Sequence, residues 1–209
     1  MLQWLNLLLD DAPSAEAKLL QQLLKESPEI PEWSAAVQPV LSRLLGEGPA
    51  RPPIVCRVVN MPVFNALALP HRTIIVSQLL VDFCRDRRDQ MAFVIAHELA
   101  HIQLGHARKR IMANTMMTVA PLANPLLGIG LRMLFDRAYT REQEFEADHF
   151  AVRICARAGY IPGESMTLLQ RLASMDTPRN LVSDILGTHP PVSDRVQQIQ
   201  YAIGSQPMI

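Results

Sequence analysis

The stretch QMAFVIAHELAHIQLGHARKR, residues 90–110, decides how the chain is read. It contains no Pro, and apolar residues flank the core motif HELAH (His97–His101) on both sides, MAFVI before and IQL after. That pattern predicts a buried or half-buried helix. Residues four apart on a helix stand above one another, so His97 and His101 share a face. Two imidazoles at that spacing can hold one Zn²⁺, with Glu98 beside them as general base for the attacking water. The same five letters also arise by chance in core helices, so a third ligand from elsewhere must decide the matter.

The helix itself does not supply that ligand. A metzincin would carry a Gly three residues and a His six residues beyond the second His, where this chain has Leu104 and Ala107. His106, five residues on, is rotated off the ligand face of a continuous helix and reads as structural or surface. The later run REQEFEAD (141–148) is more promising, because Glu144 and Asp148 are four apart and share a face. Glu142 and Glu146 point elsewhere. A His₂Glu zinc site needs such a pair: Glu144 binds the metal, and Asp148 accepts the free N–H of a ligand His and sets its tautomer. A solvated acidic face is the plain alternative. Phe145, Ala147 and the following FAVRI argue against a helix that only faces solvent. His149 turns off the metal face, His71 sits in an exposed turn, and Met112, Met116, Met117 and Met133 read as packing residues.

At 209 residues the chain supports one domain with a sizeable core. Twenty acidic residues balance twenty basic ones, so no net field favours nucleic acid. Cys56, Cys84 and Cys155 are scattered and form no CxxC, which suits free thiols in a reducing compartment. The opening MLQWLNLLLDD lacks a basic region and is too short to span a bilayer; it reads as a first helix rather than a signal peptide, and a cytoplasmic location is expected. Residues 111–131 carry no charge and are long enough to cross a membrane. One crossing, however, would place Glu144 and the two histidines on opposite sides. Arg132, Asp136 and the basic run 108–110 leave too little apolar length for two crossings. The expectation is an apolar hairpin, covering the cleft or touching a membrane surface peripherally.

Around these motifs the remaining elements follow. Residues 1–46 predict three helical pieces, with Ser14 and Ser34 as candidate caps. GEGPARPP (46–53) separates a helical segment, 1–50, from a catalytic domain, 51–209. IVCRVV (54–59), FNALAL (64–69) and TIIV (73–76) predict three short strands, the middle one bracketed by Pro62 and Pro70 and so placed at an edge. Ser77 caps a short helix to about Cys84. A long amphipathic helix ends at Gly159, another spans 163–175, and a final helix follows THPP, with Ser193 as a possible cap. The fold class expected is α+β, a mostly helical domain with a small mixed sheet of about three strands.

HELAH, TREQEFEAD and THPPVSDR, with NALALP before them, resemble the gluzincin metallopeptidases that include the CAAX prenyl protease, the HtpX-type heat-shock peptidases and the Oma-type quality-control proteases. The resemblance covers about residues 54–200 and implies a zincin-like fold. It implies that Glu144 is the third zinc ligand, and it places the motif's Arg and Asp on Arg141 and Asp148. The family's His-Pro, with an Arg six residues after the His, falls on His189, Pro190 and Arg195. Its edge strand ordinarily continues as Pro-Gly-Gly, where this chain has Pro70-His71-Arg72.

The reading is a zinc endopeptidase, with one Zn²⁺ per chain on His97, His101 and Glu144, acting on unfolded, misfolded or flexible polypeptide in membrane-protein or envelope quality control. Glu98 is the base. His189 and Arg195 are candidate donors to the oxyanion, and His189 has a rival role as a gate on the metal. Asn65, Ala66, Leu67 and Ala68 receive the substrate by strand addition. A chaperone-like module with a closed or structural zinc site is the alternative, and a zinc hydrolase acting on other bonds is a third reading.

Overall fold

The structure, a computed structural model, describes residues 12–46, 53–109, 139–175 and 190–205. The expected helix at 1–11, the hairpin at 111–131 and His189 lie outside the described residues. In chain order the described elements are α1 (Ala12–Glu26), α2 (Pro31–Leu45), β1 (Val55–Val59), β2 (Ala66–Ala68), β3 (Thr73–Ser77), α3 (Gln78–Phe83), α4 (Arg88–Gln103), α5 (Arg141–Arg157), α6 (Glu164–Ala173) and α7 (Val192–Gly204). The domain is α+β and mostly helical, with one three-stranded mixed sheet in the order β1-β3-β2.

The β-branched centre of the sheet sorts its side chains by strand alternation. β3 is buried along its whole length. Its Ile74 and Val76 join Cys56 and Val58 of β1 in the main core, while Ile75 turns to the opposite face with Leu67, Leu69 and Val59. Three helices cover those two faces. Leu19 and Leu23 of α1 cover the second face, and α2 and α4 cover the first. β1 runs parallel to β3, and β2 runs antiparallel to it as the sheet's edge, as its flanking prolines predicted.

α4 runs through the centre of the domain. Every residue from Gln90 to His101 is buried, between the sheet and α2 on one side and α5 and α6 on the other. A helix buried on all sides presents no solvent face, and each large apolar side chain such as Ile95 or Leu99 contributes roughly 1.5–3 kcal/mol by burial. This is the physical reason that His97, Glu98 and His101 lie in the interior.

Local signals placed most helix ends. Ser77 accepts the N–H of Leu80 as the cap of α3, and Gly46 and Gly159 follow helix ends at φ 73° and 72°. Three expected caps are corrected. Ser14 lies inside α1, which is already helical at Ala12. Pro31 starts α2, so Ser34 lies within the first turn, where its buried hydroxyl accepts the Val58 N–H and ties the helix to β1. Ser193 lies inside α7, which begins after Pro191 without a side-chain cap. A serine hydroxyl can serve a distant backbone as readily as its own helix, so the local pattern was ambiguous.

The β2–β3 turn is held from outside the sheet. Glu16 of α1 is buried, and its carboxylate accepts the N–H groups of His71 (2.6 Å) and Arg72 (3.1 Å) and the Thr73 hydroxyl (2.6 Å). Glu16→Ala removes the shared acceptor for three donors. It is expected to lower the unfolding free energy by about 1–3 kcal/mol in urea titrations. A change within error would show that Leu19 and Leu23 alone dock α1.

Candidate metal centre

Three elements bring the polar cluster together. α4 supplies His97, Glu98 and His101, and α5 supplies Glu144 and Asp148. α7 supplies Arg195. The start of α5 is fixed by a capping box. Thr140 Oγ1 accepts the Gln143 N–H, and Gln143 Oε1 accepts the Thr140 N–H, which sets Glu144 in the first turn. The box letters T-x-x-Q stand in TREQ and mark this boundary in the sequence.

His97 Nε2 and His101 Nε2 are 3.1 Å apart. Glu144 closes the triangle, with Oε2 3.3 Å from His97 Nε2 and Oε1 3.5 Å from His101 Nε2. All three side chains are buried, and together they form a group that could hold a metal ion. Glu98, also buried, lines a largely apolar recess beside His97. Ala66 of the edge strand, Phe93, Leu168 and Arg195 form other parts of its wall.

Asp148 carries the electrostatics behind His97. Its Oδ1 is 3.0 Å from His97 Nδ1, and Arg195 donates to it twice, Nε to Oδ2 at 2.9 Å and Nη2 to Oδ1 at 2.6 Å. Both residues are almost fully buried. Burial works to raise the Asp148 carboxyl, but the Arg195 guanidinium and the His97 contact outweigh it and hold the group below the usual carboxylate range. Burial likewise works against charge on His97, and the Asp148 and Glu144 carboxylates overcome it, raising the imidazole to about 9. Arg195 is pushed further up by Asp148 despite its own burial. Since a carboxylate accepts only, His97 Nδ1 donates to Asp148, and in the neutral form that binds a metal the Nε2 lone pair faces Glu144 and His101.

Two residues near the cluster were not found from sequence. His106 is buried, and its Nδ1 lies 3.1 Å from His101 Nδ1; its Nε2 lies 3.1 Å from Glu146 Oε2. It is buried and not at the surface, and its rotation by a continuing α4 is corrected here, while its place outside the ligand set agrees with the cluster of His97, His101 and Glu144. α4 stops at Gln103 and Gly105 takes φ 70°, so helical rotation does not extend to position 106. The glycine after Leu104 was the available signal. Burial lowers the His106 pKa, with Glu146 opposing it. The second is Tyr139, whose ring stacks on His101 at 3.7 Å between centroids and 11° between planes. No sequence pattern pointed to it.

Of the other residues singled out, Arg141 pairs with Asp194 at the surface, and Asn65 is buried where the chain enters β2. Ala66, Leu67 and Ala68 form β2 itself. The three cysteines are free and buried, and burial pushes each thiol up to about 12.

The sequence profile of peptidase family M48 matches residues 34–203. The chain belongs to that family. The match begins within α2 and runs into α7, so it takes in every residue of the cluster, while α1 precedes it. Among characterised proteins, this M48 chain is 29% identical over 175 residues to the mitochondrial metalloendopeptidase OMA1 of Danio rerio, covering 72% of the chain and 36% of that protein. It is 31% identical over 144 residues to the mitochondrial metalloendopeptidase OMA1 of Arabidopsis thaliana, covering 64% of the chain and 28% of that protein. With the metalloprotease YcaL of Escherichia coli it shares 25% over 177 residues, 79% of the chain and 68% of the relative. The chain therefore spans about a third of the two mitochondrial relatives. The M48 family and these relatives agree with the Oma-type and HtpX-type resemblance carried by the motifs.

Proposed function

We propose that the chain is a zinc-dependent endopeptidase acting on unfolded or flexible polypeptide. The observation that carries this reading is the buried triangle of His97, His101 and Glu144 with Glu98 beside it in a recess at the sheet's edge. Ligands about 2.0–2.2 Å from one ion in a tetrahedron stand about 3.3–3.6 Å from each other, close to the sides of this triangle. Two neutral imidazoles and one carboxylate also form a donor set that suits zinc, with one position left for substrate or water. Zinc bound there would supply a Lewis acid for the scissile carbonyl and would make water a nucleophile near neutral pH.

The chain's own residues do the rest. Glu98 takes the proton from the attacking water and hands it to the nitrogen of the leaving amine. β2 offers its outer edge to an extended peptide, which places the peptide along the wall that contains Ala66 and beside His97. Strand addition needs a segment free of its own pairing, hence an unfolded or flexible substrate. The recess walls of Leu80, Phe93 and Leu172 suit an apolar side chain next to the scissile bond. Arg195 lines the same recess, which supports a role in stabilising the oxyanion. His189 joins it on motif resemblance alone, as donor or as gate.

Asp148 orients His97 in this reading. Asp148→Asn is expected to weaken zinc binding roughly 10–100-fold, as for other partners behind metal ligands. It also leaves Arg195 buried without its counter-charge, at a cost of up to about 3–5 kcal/mol in unfolding free energy. Zinc competition and urea unfolding measure the two effects, and wild-type affinity in a folded variant would remove Asp148 from the orienting role.

Residues 1–50 are read as a helical segment packed on the catalytic domain, 51–209, a division supported by α1 and α2 docking on opposite faces of the sheet. Among the described residues no helix is long and apolar enough to cross a membrane. Peripheral membrane contact through 111–131, a cytoplasmic location and a role in membrane-protein or envelope quality control complete the proposal. Casein cleavage that stops on chelation with EDTA and returns with added zinc tests the activity. Cleavage that persists after full metal removal would overturn it. A chaperone-like module with a structural ion has no use for a buried carboxylate at Glu98 beside an open recess.

A further inference from the structure

His97 and His101 are both candidate ligands, yet among the described residues the carboxylate at Nδ1 belongs to His97. His101 has a histidine there instead, and that histidine has the carboxylate. We propose that His106, backed by Glu146, is the positioning residue for His101, fixing the tautomer that turns the Nε2 lone pair toward the metal. The proposal rests on the metal-site reading above and concerns a residue to which that reading gave no role.

The hydrogen-bond directions follow from the outer end inward. Glu146 Oε2 lies 3.1 Å from His106 Nε2, and a carboxylate oxygen accepts, so the His106 proton sits on Nε2. A neutral His106 then presents a bare Nδ1. That atom is 3.1 Å from His101 Nδ1, so the single proton between them belongs to His101. With Nδ1 protonated, a neutral His101 has its lone pair on Nε2, the atom that faces His97 and Glu144. The opposite arrangement would put a proton on Nε2 and aim an N–H at the ion.

Burial supports the assignment. His101 and His106 are 0% and 1% exposed, so water cannot readily replace either partner. The Tyr139 ring lies against the His101 ring, which leaves rotation within the stacking plane for His106 to fix. Glu146 is different: its side chain is 64% exposed, so water can stand in for it, and its part in the relay is the smaller one. Gly105 makes the contact possible. Its positive φ turns the chain back after α4 and returns the next side chain to His101.

The test compares two amides at one position, with zinc affinity measured by chelator competition rather than by activity. In His106→Asn the amide oxygen can take the place of Nδ1, so binding is expected within a few-fold of the wild type. In His106→Gln the amide reaches the Nε2 position instead, and binding is expected to fall roughly 10–100-fold, the usual effect of losing a partner behind a ligand. Glu146→Gln, which can still accept from Nε2, is expected to fall less than His106→Gln. Urea unfolding of the metal-free variants confirms that each is folded; His106→Leu, of similar size, replaces any that is not and is expected to match His106→Gln. Equal wild-type affinity in the Asn and Gln variants, or in the Leu variant, would overturn the proposal, provided His97→Ala has lost zinc. Full zinc affinity in His97→Ala would instead overturn the metal-site reading beneath it.

Discussion

Glu98→Gln is expected to lower kcat by about 10²–10⁴-fold on casein or a fluorogenic peptide, the range that a positioned general base supplies. The side chain keeps its size and its place on α4, but an amide cannot take a proton from water. Glu98 is not part of the triangle of His97, His101 and Glu144, so zinc content is expected to stay at the wild-type level. Substrate binding along β2 is also expected to survive, which makes the variant a trap for peptide. Loss of activity together with zinc would implicate Glu98 in binding the metal rather than in proton transfer. Activity near the wild type would remove it from the mechanism.

Glu144→Ala is expected to have the larger effect on the metal. It removes the only ligand of the triangle that comes from α5, and two imidazoles 3.1 Å apart form a poor site alone. The loss of affinity is expected to exceed the roughly 10–100-fold typical of partners behind the ligands. Elemental analysis after dialysis reads the result directly, with casein cleavage lost in parallel. Glu144→Gln controls for the cavity, because it keeps the volume and removes the charge. A full complement of zinc in both variants would exclude Glu144 as a ligand.

These two effects, like that of Asp148→Asn, concern residues that were legible in the sequence, whereas Glu16 and His106 owe their roles to partners that it did not show. His97, Glu98 and His101 announce themselves because helical spacing converts directly into shared faces. The same rule paired Glu144 with Asp148. Three short runs, two of them β-branched and the middle one bracketed by Pro62 and Pro70, similarly indicated a small sheet with β2 at its edge. In each case the relevant geometry is contained within a few residues, and the backbone period alone determines it.

Where the reading failed, the period had been carried across a break or a local role assigned to a residue with a distant partner. His106 was placed by extending α4 beyond Gly105, although a positive φ ends helical rotation there. Ser34 and Ser193 looked like caps, but Pro31 and Pro191 had already set the helix starts. The Glu16 clamp on the β2–β3 turn joins positions 55 to 57 residues apart, and nothing near either end marks it.

The sequence by itself therefore determined the composition of the cluster: two histidines and a base on one helix, and two carboxylates on one face of another. Tertiary structure alone decided how those groups are oriented. It placed Arg195 against Asp148 across 47 residues of chain, brought Glu146 to His106, and laid Tyr139 on His101. The physical reason is that spacing within a helix is set by local hydrogen bonds, whereas the partners behind each histidine depend on how α4, α5 and α7 pack their side chains. That packing is a property of the whole buried core, and no short window of residues contains it.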